Sequence, residues 1–541
     1  MKDLVSILDG NTFLVSDRRG DIEPSFAFPT GLFSFDTRFL STWVLTLNGE
    51  RLHALSVDDS ESYRTTFFLA PGEPTHYLDA KASVIRSRAI GGSFDEELTV
   101  LNHSGEEVDF SVRLEMSSDF ADLFEIKHAR EKIGRTTVAV TDNELRLTYR
   151  REAFHRETVV RSTVPAQVDA SGMTFQVRIQ SNSEWTTRLH VSTVVYGARG
   201  EDIRATLPYA GSRGGDAIRA EQQELIDRAP KLGCDCEPLA GAYRRSLNDL
   251  AALRYESIAL GVRLIAAGLP WFMTLFGRDS IITSLQVLPF LPELIPPTIL
   301  MLAGLQGHRV DDFRDEEPGK ILHELRYGET AGFEEQPHSP YYGSADSTPL
   351  FVILIDEYER WTGDTALVKR LEPHVRAALE WIDTYGDLLG TGYLWYRTRQ
   401  PGDRVAEPVL EGLLGRHLVR RRPDAGLPPG HLRVAGLRVR REDPGSPAGP
   451  EGLERPGVRR PVGAGGCGAQ AAVQPRLLDR RPGVLCARPG RRRPAGGRAD
   501  VEHRAPAVER DRGRVPGRQG GRPPARAAAL LRLGGADPRR G

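Results

Sequence analysis

The chain has 541 residues, which is enough for two or three domains, and a formal net charge of −1. This near-neutral total hides a division at Gln400, because about 30 arginines and about 14 acidic residues follow it. The net charge is therefore roughly −17 before Gln400 and roughly +16 after it. An acidic folded part argues against a specific nucleic-acid partner.

Four cysteines are too few for a disulfide scaffold, which fits a reduced compartment. The N-terminus lacks the basic-then-apolar design of a signal peptide. No run approaches the roughly 18 apolar residues that a membrane span needs. We therefore expect a cytoplasmic protein that does not enter a membrane.

The first 200 residues alternate apolar and polar side chains in short segments, as in Phe110–Met116, Leu145–Tyr149 and Met173–Ile179. A period of two, interrupted by Gly, Asn, Asp and Ser, is typical of antiparallel strands with one wet face. The pattern predicts a β-sandwich domain over residues 1–200.

The apolar period then changes to three and four residues, which predicts helices. The expected helices are one beginning at Ile218, then Leu239–Ile258, Ile281–Leu291, Ile299–Gln306, Pro349–Thr362 and Thr365–Tyr385. Strands followed by helices predict two stacked domains, with a linker and connecting helix at 201–238 and a helical domain at 239–399.

The segment after Gln400 is roughly two-thirds Arg, Gly, Pro and Ala, and it contains no aromatic residue, Ile, Met, Asn, Thr or Lys. Such a segment has almost nothing to bury, so residues 400–541 are predicted to be a disordered tail. Its arginines could bind nucleic acid without specificity, but it has no aromatic side chain for base stacking.

The run Gly268–Ser280 combines aromatic residues, Gly and Pro with an adjacent Arg and Asp at the start of a helix. Sugars are bound by aromatic faces and by charged groups that contact several hydroxyls. Trp271, Phe272, Arg278 and Asp279 are therefore candidate sugar ligands. The alternative is a buried aromatic corner with a structural ion pair, where Asp279 meets the free amides of the helix start.

The run Asp315–Glu329 is rich in carboxylates and contains His323 followed by Glu324. A zinc helix of the His-Glu-x-x-His type needs a second histidine where Tyr327 stands, so no metal site is predicted. From composition alone, these charges are expected to form a solvated loop and helix face.

The run Tyr341–Leu350 places Tyr342 and Asp346 before an apolar helix. Asp346 or Ser347 could cap that helix, with Ser347 the favoured cap and Pro349 in its first turn. Further along, Trp395 in an extended segment is either a sugar platform or part of a packed loop.

Together these segments resemble bacterial and archaeal proteins of the glycogen-debranching, amylo-α-1,6-glucosidase type. The resemblance begins at Gly31–Arg38, with the sequence GLFSFDTR, and continues through GLPWFMTLFGRDS, EEPGKILHELRYGE and YYGSADSTPLF. It covers about 400 residues. It implies that an (α/α)₆ barrel, related to those of glucoamylase and trehalase, follows the sandwich; in this chain that barrel is incomplete.

In related glucoamylases an Arg-Asp pair in a similar setting grips the terminal glucose, so the resemblance gives Arg278 and Asp279 that role. Tyr342 and Asp346 are expected to line the same pocket, with Trp271, Phe272 and Trp395 as aromatic platforms. The implied partner is an α-glucan or oligosaccharide, with no cofactor. The sequence does not determine an oligomeric state.

Hydrolysis in this family implies two carboxylates and inversion at the anomeric carbon. The acid is expected in a Lys-Asp-Ser-Trp-Asp-like motif soon after Trp395, and this chain has no such motif. We therefore expect the chain to be inactive. The alternative is a non-catalytic glucan-binding module.

We hypothesise that a slipped reading frame accounts for the loss of the motif. When Pro408 to Pro423 are back-translated and read from the second nucleotide of each codon, the codons permit Lys-Asp-Ser-Trp-Asp within a longer family-like run. The hidden acid straddles the codons of Gly415 and Arg416.

Resequencing the gene around the codon for Gln400, with mass spectrometry of the expressed peptide, tests this hypothesis. We expect a single-nucleotide slip whose correction restores Lys-Asp-Ser-Trp-Asp. An unbroken frame in the gene, matched by the expressed peptide, would contradict it.

Overall fold

The computed structural model describes residues 4–25, 29–72, 81–128, 130–196, 214–258, 261–386, 394 and 398–399, and the backbone of 431–434 and 437–440. The predicted disordered tail therefore lies outside the described residues, apart from two strands. These are β20 (His431–Val434) and β21 (Leu437–Arg440), which pair antiparallel.

The strands before residue 197 form three antiparallel sheets in the described part of the chain. The four-stranded sheet, ordered β1-β2-β3-β4, contains β1 (Val5–Asp9), β2 (Thr12–Ser16), β3 (Gly31–Ser34) and β4 (Thr37–Leu40). The five-stranded sheet, ordered β15-β16-β11-β5-β6, contains β5 (Thr42–Leu47), β6 (Glu50–Arg51), β11 (Val108–Ser117), β15 (Gln167–Asp169) and β16 (Gly172–Ile179). The eight-stranded sheet, ordered β12-β13-β14-β17-β10-β9-β8-β7, contains β7 (His53–Asp58), β8 (Arg64–Ala70), β9 (Ala82–Ile90), β10 (Phe94–Asn102), β12 (Arg135–Thr141), β13 (Glu144–Arg151), β14 (Phe154–Ser162) and β17 (Glu184–Tyr196).

The three sheets share one hydrophobic core. Strands β9 and β10 alternate buried and partly exposed residues over their full lengths, so that one face of each strand packs inward. The core includes Trp43, Phe94 and Phe120, all fully buried. The alternating segments of the sequence are β11, β13 and β16, and the predicted sandwich-like β region is confirmed.

The rest of the described chain is mainly helical. Its elements are α1 (Leu123–His128, inside the sandwich region), α2 (Gly215–Arg228), α3 (Glu237–Ala252), β18 (Arg254–Glu256), β19 (Arg263–Ile265), α4 (Gly277–Val287), a 3₁₀ turn (Pro292–Leu294), α5 (Ile295–Gly304), α6 (Glu329–Gly332), α7 (Ser347–Thr362), α8 (Thr365–Trp381) and a π turn (Ile382–Gly386). Helices α4, α5, α7 and α8 share a second core, and the predicted helical region is confirmed, with one short hairpin, β18–β19, inside it.

One predicted helix extends too far. The apolar period suggested a helix to Ile258, but α3 ends at Ala252 and the chain continues as β18, which pairs with β19. Tyr255 is buried within this hairpin. The apolar residues of a short buried strand can have the same spacing as those at the end of a helix. Periodicity alone therefore does not distinguish the two structures.

A buried ionic cluster joins the sandwich to the helical region. Arg326, only 5% exposed, donates to Asp36 (3.1 Å) and to Glu324 (2.9 Å). The second Asp36 oxygen accepts from the backbone N–H of Tyr327 (2.8 Å). Phe35 and Asp36 form the turn between β3 and β4 with φ of 49° and 64°, a left-handed conformation that is costly for Phe and better tolerated by Asp. The cluster holds this turn in place.

A second contact between the regions surrounds Glu329, which is 1% exposed. Its carboxylate accepts from Tyr149 Oη (2.8 Å) and Arg151 (3.0 Å), and it also pairs with Lys132. Beside it, Gly328 lies so close to the sandwich that a Cβ would overlap the Asp122 carboxylate. The charges of 315–329 are therefore buried, and the expectation of a solvated loop and helix face is wrong.

Replacing Arg326 should destabilise the fold strongly, because it would leave Asp36 and Glu324 buried without a counter-charge. We expect Arg326→Met to lower the free energy of unfolding by about 3–5 kcal/mol in chemical denaturation. The matched control is Arg360→Met, because Arg360 also pairs with two carboxylates but its side chain is 54% exposed. A loss below about 1 kcal/mol is expected there, and equal effects of the two changes would contradict the account.

Asp122 should make stability depend on pH. Burial, with the nearby Asp36 charge, raises its pKa from 3.8 to about 6. Because the pKa is higher in the folded chain, this group favours folding fully below pH 3.8 and loses that contribution as the pH rises through about 6. The difference in free energy of unfolding between the native chain and Asp122→Asn should therefore shift in favour of the variant between pH 4 and pH 7. A difference that stays constant over that range would contradict the assignment.

Candidate functional site

Three separate segments meet at the start of α4. Gly277 N–H donates to His323 O (2.9 Å), and Leu325 N–H donates to Leu275 O (3.1 Å). His323 N–H donates in turn to Tyr341 O (2.7 Å). A Cβ at Gly277 would overlap the Leu322 carbonyl oxygen, so this approach needs glycine. The candidate site is built on this junction.

Arg278 and Asp346 meet where α4 and α7 begin. Arg278 Nη1 donates to Asp346 Oδ2 (3.1 Å), and Ser344 Oγ donates to Asp346 Oδ1 (2.5 Å). Asp346 is the residue before α7 but makes no side-chain cap. Ser347, predicted as the cap, is instead the first helical residue, and its N–H donates to Ser344 Oγ (3.3 Å). Pro349 lies in the first turn as predicted.

Asp279 and Phe272 are the accessible members of the predicted set. The Asp279 side chain is 43% exposed, with its Oδ2 3.9 Å from Arg278 Nε, and no side chain caps the start of α4. Phe272 is 42% exposed and its ring lies edge-on to that of Phe276, at 5.6 Å between centroids. One ion-paired arginine, one exposed carboxylate and one exposed ring thus lie on neighbouring segments.

His323 belongs to this group, although the sequence suggested only that it does not bind zinc. Its ring stands edge-on between Phe276 (5.7 Å) and Tyr341 (5.9 Å). Burial lowers its pKa, and the Arg278 charge adds to that effect against the nearby carboxylates, so the ring is neutral at pH 7. The sequence pattern, a histidine next to a glutamate, does not predict that the histidine ring packs between two aromatic side chains.

Two predicted ligands are used in packing, and a third lies outside the described residues. Trp271 is partly buried against a cluster of sandwich side chains that includes Phe13 and Phe33. Tyr342 is buried in the helical core, where its hydroxyl donates to Leu305 O (2.8 Å) and burial raises its pKa. Trp395 lies outside the described residues. The structure thus brings Arg278, Asp279 and Asp346 together and uses Trp271 and Tyr342 in packing.

A second acidic group binds the segment at 398–399. Asp315, fully buried, accepts from Thr398 Oγ1 (3.0 Å) and from Arg399 N–H (2.5 Å). Glu317 accepts from Arg399 (3.2 Å) and from Trp381 Nε1 (2.7 Å). These contacts fix the chain immediately before Gln400, and the sequence did not predict them.

Glu324 lacks the property that a general acid needs. It is buried, which opposes ionisation, but Arg326 and His338 outweigh burial and lower its pKa. A general acid requires a raised pKa. Glu324 therefore acts within the ionic cluster.

Within the described residues, no group of three His, Cys, Asp or Glu side chains is arranged to hold a metal ion. In the same part of the chain, no helix combines the length and apolar character that crossing a membrane requires.

Residues 7–190 match the model of a domain described as the N-terminal domain of some glycogen debranching enzymes. The resemblance seen in GLFSFDTR is confirmed for this part of the chain. No curated protein matches the chain by sequence.

Two solved structures are similar to this chain with TM-scores below 0.5. A candidate kojibiose phosphorylase from the human microbiome is 10% identical, with a TM-score of 0.45, over 67% of this chain and 54% of that one. A gh92 family glycosyl hydrolase is 12% identical, with a TM-score of 0.31, over 74% of this chain and 66% of that one. This chain spans about half the length of the phosphorylase, and neither likeness supports an assignment of activity.

Proposed function

We propose that the chain derives from a glycoside hydrolase of the glycogen-debranching type, binds the terminal glucose of an α-glucan at Arg278 and Asp279, and does not cleave it. The observation that carries this proposal is the contact between Arg278 and Asp346 beside the exposed Asp279 carboxylate. Its support from comparison is the debranching-type domain at residues 7–190.

The Arg278 guanidinium suits a sugar hydroxyl pair because it is already oriented. Its bond to Asp346 fixes one side of the planar group, and the Arg278 side chain is only 16% exposed. A held guanidinium loses less rotational freedom on binding than a free one. Asp279 can accept hydroxyl hydrogen bonds, and an exposed Phe272 face can cover the C–H surface of the ring.

The second part of the proposal is that the chain does not cleave the glucan, and it depends on the residues after Arg399. The Lys-Asp-Ser-Trp-Asp motif is absent from the chain. Glu324 does not replace it, because its lowered pKa does not suit a general acid and its carboxylate is paired with the buried Arg326. We therefore propose that neither catalytic carboxylate is present. The domain limits at 200 and 400 and the cytoplasmic location belong to the same proposal.

Calorimetric titration of the full chain with maltotriose tests the binding half. We expect Asp279→Asn and Phe272→Ala each to weaken binding by about tenfold, which corresponds to about 1.4 kcal/mol. The controls are Glu237→Gln, an exposed acid in the first turn of α3, and Phe68→Ala, a 39% exposed phenylalanine on β8. Both controls should bind as the native chain does.

Absence of binding, or equal losses in site and control variants, would contradict the proposed site. Glucose release from maltooligosaccharides in the same samples would overturn the proposal that the chain does not cleave the glucan. Binding without release, lost on Asp279→Asn, supports both halves.

A further inference from the structure

The two edges of the eight-stranded sheet differ in regularity. At one edge, β7 shifts its register against β8 between Ala54 and Ser56. At the other edge, β12 pairs with β13 residue by residue from Arg135 to Thr141. A register shift is one of the devices that keep an edge strand from pairing with another chain. Strand β12 has the regular backbone that such pairing requires.

All seven residues of β12 are exposed. Val138 and Val140 lie opposite Leu147 and Leu145, which are buried, so both valines are on the core side of the sheet. Each valine is nevertheless 43% exposed. Among the described residues, the core side of the sheet is thus only partly covered at β12, and Val138 and Val140 form an apolar ledge at the edge of the sandwich.

The ledge is held in place at its start. Gly134 N–H, immediately before β12, donates to Tyr149 Oη (2.9 Å), and Tyr149 donates to the buried Glu329. The hairpin is therefore connected to the contact between the sandwich and the helical region. An edge that is already ordered loses little conformational entropy when another strand pairs with it.

We propose that β12 pairs with β12 of a second copy of this chain, antiparallel, about a two-fold axis at Val138. Such an axis is perpendicular to the sheet, so residues on the same face lie opposite each other. Full overlap places Val138 opposite Val138 and Arg135 opposite Thr141 of the other copy. The two sheets then form one continuous sheet whose apolar ledges adjoin.

Charge favours a second copy as the occupant. Strand β12 carries no charge between Arg135 at its start and Asp142, which follows its last residue. Antiparallel overlap places Asp142 of each copy one position beyond the residue opposite Arg135 of the other, so that a positive and a negative charge lie at each end of the ladder. A strand that is apolar in its middle and oppositely charged at its two ends is complementary to itself.

Light scattering with size-exclusion chromatography on Val138→Lys and Val138→Glu tests this pairing. We expect the native full-length chain to be a dimer. Either substitution places like charges opposite each other at the axis and should raise the dissociation constant by at least about tenfold. An equimolar mixture of the two variants should recover the dimer, because the lysine then faces the glutamate.

Leu55→Lys is the matched control, since Leu55 is a 56% exposed apolar residue on the opposite edge strand β7, and it should leave the dimer unchanged. A monomeric native chain overturns the proposal. So does a dimer, or a larger assembly of another protein or of this chain, that persists unchanged in both Val138 variants. A mixture that stays monomeric overturns the axis at Val138.

Discussion

The described structure depends on one buried guanidinium, that of Arg326, between Asp36 of the sandwich and Glu324 of the helical region. Burying three charges costs solvation energy, which their attraction recovers only when the geometry is good. Here that geometry involves a left-handed turn at Asp36 and a close approach of the Gly328 backbone to the Asp122 carboxylate. Such a cluster specifies one arrangement of the sandwich and the helical region more than it increases the net stability of the fold.

The arrangement that the cluster defines includes the candidate site. Glu324 belongs both to the cluster and to the junction of backbone segments that ends at Gly277, one residue before Arg278. His323 and Leu325, on either side of Glu324, hold the start of α4 through backbone hydrogen bonds. The position of Arg278 is thus determined partly by a residue in the sandwich, about 240 positions earlier in the chain.

Much of the fold could be predicted from the sequence, because alternation along β11, β13 and β16 and helical spacing along α7 and α8 are local signals. The resemblance to debranching proteins also predicted one site for Arg278, Asp279 and Asp346, and these three side chains lie close together in the structure. The burial of 315–329 could not be predicted, because each charge is neutralised by residues far away in sequence, as Glu329 is by Arg151. Composition shows the charges and not their partners.

The same limit explains Trp271 and Tyr342. Aromatic residues in a sugar-binding family suggest sugar platforms, yet Trp271 packs against the sandwich and the Tyr342 hydroxyl bonds the Leu305 carbonyl. Whether an aromatic ring faces solvent or a core depends on which segment covers it. That information is tertiary, and residue type does not contain it.

The central claim is that the buried ionic cluster between the two regions holds the candidate site in place. Native-state hydrogen exchange at the junction tests this claim most directly. The informative amides are those of Gly277, Leu325 and Tyr327, whose acceptors are His323 O, Leu275 O and Asp36 Oδ2. We predict that they exchange only through global unfolding, as slowly as the central amides paired between β10 and β17. Exchange through local opening, at a rate independent of the stability of the sandwich, would contradict it.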